Sequence, residues 1–489
     1  DTLGLDGVGC LACHQQSDFQ LGSNHSGTLF FDTAKVAYGP FVSPLSSPML
    51  AATMYKPVYS THISDAGNCA GCHSLVTETF DLGGEPTGNT FVEQATYHEW
   101  LNSIYEPQDI SCQNCHMPAL EGAYKLIAGF DTEERSPFYL HDLVGANTMM
   151  LKLLKENSNS LGIEATDEAF DETIDKTLQM LQQRTLNLDL SFQDRTEDTC
   201  YIALELKNKA GHKFPSGYPA RRAIISLLVQ NEEGDTLFHS GKMDDSYNVI
   251  AHDDLYEPHY QVITDESQAQ IYEMVIADVA GNPTTVLTRA DHLLKDNRLV
   301  PEGFSMSHPV YDTTQIAGQV LLDPDFNNQG SGEGSGTDMI YYHIPMYGFV
   351  EPLQITASVY YQSVPERWLE EMFAETSSEI DLFKSMYEEA DRSPVLVKSV
   401  SDQIEGIESS VFEQQRFSTF VELVRLSNRS LLIKSNEKHQ LSLFDLNGRL
   451  LQRWKDRKGN YEIQLPEDKG VYILQFSNEA GELQVEKVL

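Results

Sequence analysis

The chain has no apolar run of about 18 residues, the length a membrane-crossing helix requires, so no transmembrane segment is expected. Basic residues are scarce: 34 Lys and Arg stand against 73 Asp and Glu, for a net charge of −39. A surface that acidic repels polyphosphate and anionic membrane, which excludes nucleic acid as a partner. It suits a divalent cation, a basic protein or a plain solvated exterior. A signal peptide is also missing, since the chain opens on Asp1 and soon reaches Cys10. That start fits a mature form whose export signal has been removed. Cysteine is sparse, at seven in 489 residues, but six of the seven form pairs. The pairs are Cys10/Cys13, Cys69/Cys72 and Cys112/Cys115, and Cys200 alone is left over.

Each pair is followed directly by a histidine. The motifs are CLACH (Cys10 to His14), CAGCH (Cys69 to His73) and CQNCH (Cys112 to His116). Two thiols three positions apart lie on one face of a helical turn, where they can add to the vinyl groups along one porphyrin edge. The next residue then presents its imidazole to the iron. The trailing histidine selects c-type haem attachment over the other uses of this spacing. Zinc ribbons need pairs in twos to fill four positions, and three pairs fit that poorly. A redox dithiol needs a surrounding βαβ pattern, which is missing. The expectation is three covalently bound c-type haems, with His14, His73 and His116 as proximal ligands. Attachment of this kind takes place outside the cytoplasm in bacteria, so an exported protein follows.

The opposite face of each iron decides between carrier and catalyst, because an open position binds substrate. Met117 follows His116 and lies on that haem's proximal side, so it cannot cap the same iron. The spare histidines in the first 220 residues are His25, His62, His98, His141 and His212. The stretches "EQATYHEWLNS…SCQNCHMP", "HDLVGAN", "GHKFPSGYPARR", "EPHYQVI" and "LKDNRLVPEGF" resemble exported multihaem (tri-haem) c-type cytochromes of bacteria, from about residue 8 to 350. In that family a haem-bearing segment precedes a β-rich domain. The resemblance implies His62, His141 and His212 as distal ligands, with His25 and His98 in reserve.

Along the chain, residues 1–146 are loop-rich, as suits a tri-haem segment whose core is largely porphyrin. Residues 147–186 read as a helical connector, with Phe170, Ile174, Leu178 and Leu181 at helical spacing. From 187 to 415 the apolar period becomes 2, as in "YIALELKN" and "LQITASVYYQSV". That pattern predicts an antiparallel β-sandwich, carrying an acidic amphipathic helix over 365–392 with Trp368, Met372, Ile380 and Phe383 inward. The stretch "FNNQGSGEGSGTD" reads as a flexible surface loop, with a calcium (Ca2+) site as the alternative. Residues 416–489 form a small Ig-like β unit, with a hairpin around Asn447-Gly448. Its "DLNGR", "LPEDKGVYILQF" and terminal Lys-Val-Leu resemble the C-terminal sorting domain of the type IX secretion pathway of Bacteroidota-type bacteria. The fold class is thus α+β and multidomain.

Three functions compete. The first is an electron carrier at or beyond the cell surface, using three bis-histidine haems and redox partner proteins such as other cytochromes. The second is an oxidoreductase acting on a small nitrogen or sulfur species, with Lys213, Arg221, Arg222 and His259 near an open haem. The third is a surface or filament-forming structural protein, a homo-oligomer bridged by neighbouring subunits. The carrier reading is preferred to the catalyst. The type IX secretion machinery would be a further partner.

Overall fold

The computed structural model describes residues 7–127, 132–250, 255–330, 332–407, 421–426, 429–445, 449–466, 471–478 and 483–488. The chain divides into two compact units, Asp1–Ile407 and Glu408–Leu489.

The larger unit is built on two facing sheets. One runs in the order Thr236–Ser240, Arg222–Gln230, Leu353–Gln362, Val395–Ile404, with Ile271–Tyr272 also paired to Arg222–Gln230. The other runs Val262–Ile263, Thr337–Pro345, Thr199–Asn208, Leu186–Arg195. Pairing is antiparallel except where Val262–Ile263 joins Thr337–Pro345. Alternation along each strand puts one side chain in two toward the facing sheet. Cys200, Ile202, Leu204 and Leu206 therefore meet Leu353, Ile355, Ala357, Val359 and Tyr361 in one continuous core. Cys200 is a buried free thiol there, and burial pushes its pKa up to about 11. A three-stranded sheet, Met274–Ala277, Pro283–Thr284 and His292–Asp296, adjoins the sandwich. The architecture is mixed α+β with strands predominating.

The connector folds as the helices Thr148–Glu156, Ser158–Leu161 and Asp167–Arg184. Asn147 accepts from Met150 N and Thr166 from Ala169 N, so each long helix begins at a capping side chain. The acidic helix expected over 365–392 is two helices, Glu366–Phe373 and Ser378–Glu389. Ser377 caps the second by accepting from Ile380 N, which makes the break a helix start in its own right. Trp368, Leu369, Met386 and Tyr387 face inward, whereas Met372 is exposed.

The segment before residue 147 has little side-chain core. The helices Leu11–His14, Ser46–Thr53 and Cys112–His116 bury none of their residues. Val8, Phe19, Phe31, Val42, Leu50, Tyr124 and Leu143 are large apolar side chains left exposed. The segment nonetheless belongs to the larger unit, and hydrogen bonds tie it to the sandwich. Asn102 exchanges two with the Ser305 backbone, and Ile104 N donates to Glu302 O at 2.7 Å. The glycine-rich loop is part of this junction. Gly303 N donates to Gly334 O, and Asn327 bonds Phe304 O and Gly336 N.

The smaller unit is one sheet, Val421–Arg425, Ser430–Asp445, Tyr472–Asn478, Leu483–Val488, with Leu450–Gln464 also paired to Ser430–Asp445. Ile433, Leu441, Leu443, Leu474 and Phe476 form its core. The Asn447-Gly448 turn and Leu489 lie outside the described residues.

Gly303 sits at φ +87°, and a Cβ there would fall 2.4 Å from Ile104 N. Gly303→Ala should cost about 1–3 kcal/mol through backbone strain and this clash. Guanidinium unfolding of the full chain measures it, and an unchanged midpoint would refute the close approach.

Candidate haem-binding site

The three motifs lie on short helices, Leu11–His14, Gly67–His73 and Cys112–His116. Ser111 and Asn114 cap the third, with Ser111 N donating to Asn114 Oδ1 at 2.8 Å. None of the six motif cysteines is in a disulfide, and separate motifs converge. Cys69 and Cys112 are hydrogen-bonded to each other, which raises the pKa of the first and lowers that of the second. Surrounding protein raises the Cys13 pKa, and Cys69, Cys72 and Cys10 add to the effect.

The histidines are arranged in two facing pairs. His14 faces His141 with ring centroids 6.1 Å apart, and His116 faces His212 at 6.4 Å with planes only 19° from parallel. Two metal–imidazole bonds of about 2.0–2.1 Å, plus about 1.1 Å from nitrogen to ring centre in each ring, place centroids about 6.3 Å apart. The spacing therefore fits one metal atom between each pair.

Proton placement agrees with that reading. His14 Nδ1 donates to Tyr38 O at 2.6 Å, His116 Nδ1 to Val144 O at 2.9 Å, and His212 Nδ1 to Lys213 O at 2.8 Å. A carbonyl can only accept, so the proton of each neutral ring is on Nδ1. Nε2 keeps its lone pair, the usual state of a metal-ligating imidazole. Burial lowers the His212 pKa, which favours the neutral ring.

One short stretch serves both pairs. In "HDLVG", His141 faces His14, and the Val144 carbonyl orients His116. Between them Leu143 adopts φ +47° and its N–H bonds His116 O at 2.9 Å. A non-glycine residue in that region is strained, and the strain lets the chain reverse between the two histidines.

His73 differs, since it enters no ring pair among the described residues. The residue is exposed, while the protein around it, His116 and Arg221 hold its pKa below the ordinary value. His25 is exposed with Nδ1 3.0 Å from Ser26 Oγ. His98 is half-buried, with Nδ1 3.4 Å from Ser74 Oγ, directly after His73.

His62, expected as a distal ligand, is placed otherwise. It is buried, its Nε2 donates to Gln16 O at 2.9 Å, and its Nδ1 accepts from Ser60 Oγ at 2.6 Å. Both nitrogens are engaged, so neither is turned toward an iron. Its ring packs edge-on against Tyr38, whose carbonyl orients His14. Sequence position alone could not separate a ligand from a residue supporting one.

The basic residues considered for an open haem are mostly occupied. Lys213 is fully buried and pairs with Asp296 at 2.8 Å. Arg222 Nε donates to Gln362 Oε1 at 2.7 Å. Arg221 Nη1 donates to Ser216 O at 2.7 Å, and of these groups it is the one that acts electrostatically on His73.

His259 belongs to the one metal-like cluster among the described residues, with Asp323 and Asp338. Gln270 Nε2 (2.8 Å) and Asn297 Nδ2 (3.1 Å) both point at its Nδ1. Their amide oxygens accept from Tyr260 N and Glu273 N, which fixes both amides as donors toward the ring. Nδ1 is thus the acceptor, and Nε2 holds the proton, donated to Asp323 Oδ2 at 3.0 Å. A metal on Nε2 would need that proton on Nδ1, against two N–H groups. The cluster is a hydrogen-bonded network, not a cation site. In the glycine-rich loop, where calcium is the alternative to a flexible loop, Asp338 is the one member of such a cluster among the described residues.

No family model matches the chain, and no curated protein matches it. Among solved structures, a penta-heme cytochrome c552 from Thermochromatium tepidum aligns over 81% of this chain and 77% of its own, with 17% identity and a TM-score of 0.44. HBP35 of Porphyromonas gingivalis aligns over 66% and 69%, with 12% identity and a TM-score of 0.18. Scores this low leave the reasoning to rest on the chain's own residues. Among the described residues no helix is long and apolar enough to cross a membrane.

Burial pushes the Asp338 carboxyl up to about 6 from its ordinary 3.8. The folded state then holds more protons than the unfolded one between about pH 4 and 6, so stability falls as pH rises through that window. Asp338→Asn should remove this pH dependence. Relative to the variant, wild type should lose about 2–3 kcal/mol between pH 4 and pH 7, measured by denaturant unfolding. Parallel pH curves would contradict it.

Proposed function

We propose that this protein is an exported c-type cytochrome that transfers electrons through three covalently bound haems. The thioether anchors are Cys10/Cys13, Cys69/Cys72 and Cys112/Cys115, and the proximal ligands are His14, His73 and His116. His141 is the distal ligand opposite His14, and His212 the one opposite His116. The observation that supports this reading is the pair of facing imidazoles at 6.1 and 6.4 Å. A bound haem supplies a one-electron centre whose potential the ligands and their surroundings set. The chain's own residues hold three of these four ligands, His14, His116 and His212, on fixed carbonyls, so little needs to rearrange when the charge changes. Convergence of Cys13, Cys69 and Cys112 supports close spacing of the three centres. The net charge of −39 favours a basic docking partner. The C-terminal β unit serves as the type IX secretion signal, which places the protein at the cell surface or beyond.

A second reading is favoured by one observation, the lack of a second ring paired with His73 among the described residues. That iron would then take a small exogenous ligand, with Arg221 near enough to favour an anionic one.

His141→Ala and His212→Ala should each convert one haem from low-spin to high-spin in optical and spin-resonance spectra. His62→Ala should leave every haem's spin state unchanged. Unchanged spectra for both ligand variants would overturn the assignment. Carbon monoxide added to the reduced wild-type protein should bind one haem in three if the His73 site is open. Complete inertness would remove the second reading and leave a pure carrier.

A further inference from the structure

A ring of four buried charges lies directly behind His212. Glu99, on the helix Thr96–Leu101, is fully buried, and its Oε1 meets Arg298 Nη1 at 3.2 Å. Arg298 grips Asp296 with two hydrogen bonds, Nε to Oδ1 at 2.8 Å and Nη2 to Oδ2 at 2.7 Å. Asp296 Oδ2 also receives Lys213 Nζ at 2.8 Å, and that ammonium donates again to Gln315 O. The ring closes through the backbone, because Lys213 N donates to Glu99 Oε2 at 3.1 Å. Ser216 Oγ adds a donor to the same oxygen at 2.6 Å. Two positive and two negative groups cancel, which makes such burial tolerable.

Residue 213 links this ring to the ligand. Its N–H is held by Glu99, while its carbonyl accepts from His212 Nδ1 at 2.8 Å. The orientation of the His212 ring therefore depends on a carboxylate supplied by the haem-bearing segment. We propose that Glu99 is a positioning residue that fixes His212 as an iron ligand and whose negative charge holds that one haem at a lower potential than it would otherwise have.

The inference rests on the proposed ligation of iron by His212. A fixed carboxylate behind a ligand favours the more positive, oxidised state of the metal. The carboxylate is paired with Arg298.

The test is redox titration of the full-length, haem-loaded protein with low-temperature spin-resonance spectra. Glu99→Gln keeps an acceptor for Lys213 N and removes the charge. It should raise the potential of one haem by about 59 mV, a tenfold shift for one electron, while all haems keep their spin states. Glu99→Asp keeps the charge and should leave that potential near wild type. Ser216→Ala removes a donor from the carboxylate, leaves its charge less compensated, and should shift the same haem the opposite way. Equal shifts in Glu99→Gln and Glu99→Asp would reduce Glu99 to a structural role and overturn the proposal. Three unchanged potentials in Glu99→Gln would overturn it too. Should Glu99→Gln fail to fold with its haems, the absence of any shift in Ser216→Ala overturns it alone. His212→Ala separates the two layers: if no haem changes spin state there, the ligand assignment fails, not merely the tuning by Glu99.

Discussion

A neutral imidazole has one proton, and where that proton sits decides whether the ring can bind a metal. In His14, His116 and His212 it is held on Nδ1 by a backbone carbonyl. The carbonyls belong to Tyr38, Val144 and Lys213, so three distant stretches must be folded correctly before the rings are usable. Most of the structure before residue 220 can be understood as the means of placing them. His62 and Ser60 brace Tyr38, and the strained turn at Leu143 delivers Val144 and His141 together. A charge ring anchored on the sandwich steadies Lys213.

This dependence explains why the cysteine-rich segment and the sandwich share one compact unit. The segment has few buried apolar side chains of its own, and its order comes from elsewhere. The covalent anchors would supply one part. The contacts of Glu99, Asn102 and Ile104 with Arg298, Ser305 and Glu302 supply another. The motifs around His98, His212 and Arg298 are far apart in sequence but form a single junction. The sandwich thus helps to hold the stretch that carries His212.

The three C-x-x-C-H motifs are plain in the sequence, because the thioether attachment they suggest would demand a fixed local spacing. The sandwich strands were legible as well: the alternation of Leu353, Ile355, Ala357, Val359 and Tyr361 is the alternation that packs. Which histidines lie opposite another imidazole was harder to read, since nothing local separates His141, which is paired with His14, from His62, which donates to Gln16. That difference depends on where a carbonyl 46 residues away comes to rest. The helix break before Ser378 was hidden by an amphipathic pattern that continues across it. The glycine-rich loop read as flexible because its partners, Gly303 and Phe304, lie more than twenty residues earlier. Glu99 was silent for the same reason, as one acidic residue among many until Arg298 and Lys213 are beside it.

The central claim is that two irons are each held between two imidazoles. Near-infrared magnetic circular dichroism of the oxidised, full-length protein reports axial ligands directly. The account predicts a bis-imidazole signature from at least two of the three haems. A spectrum with histidine–methionine or high-spin signatures at two or more haems would contradict it.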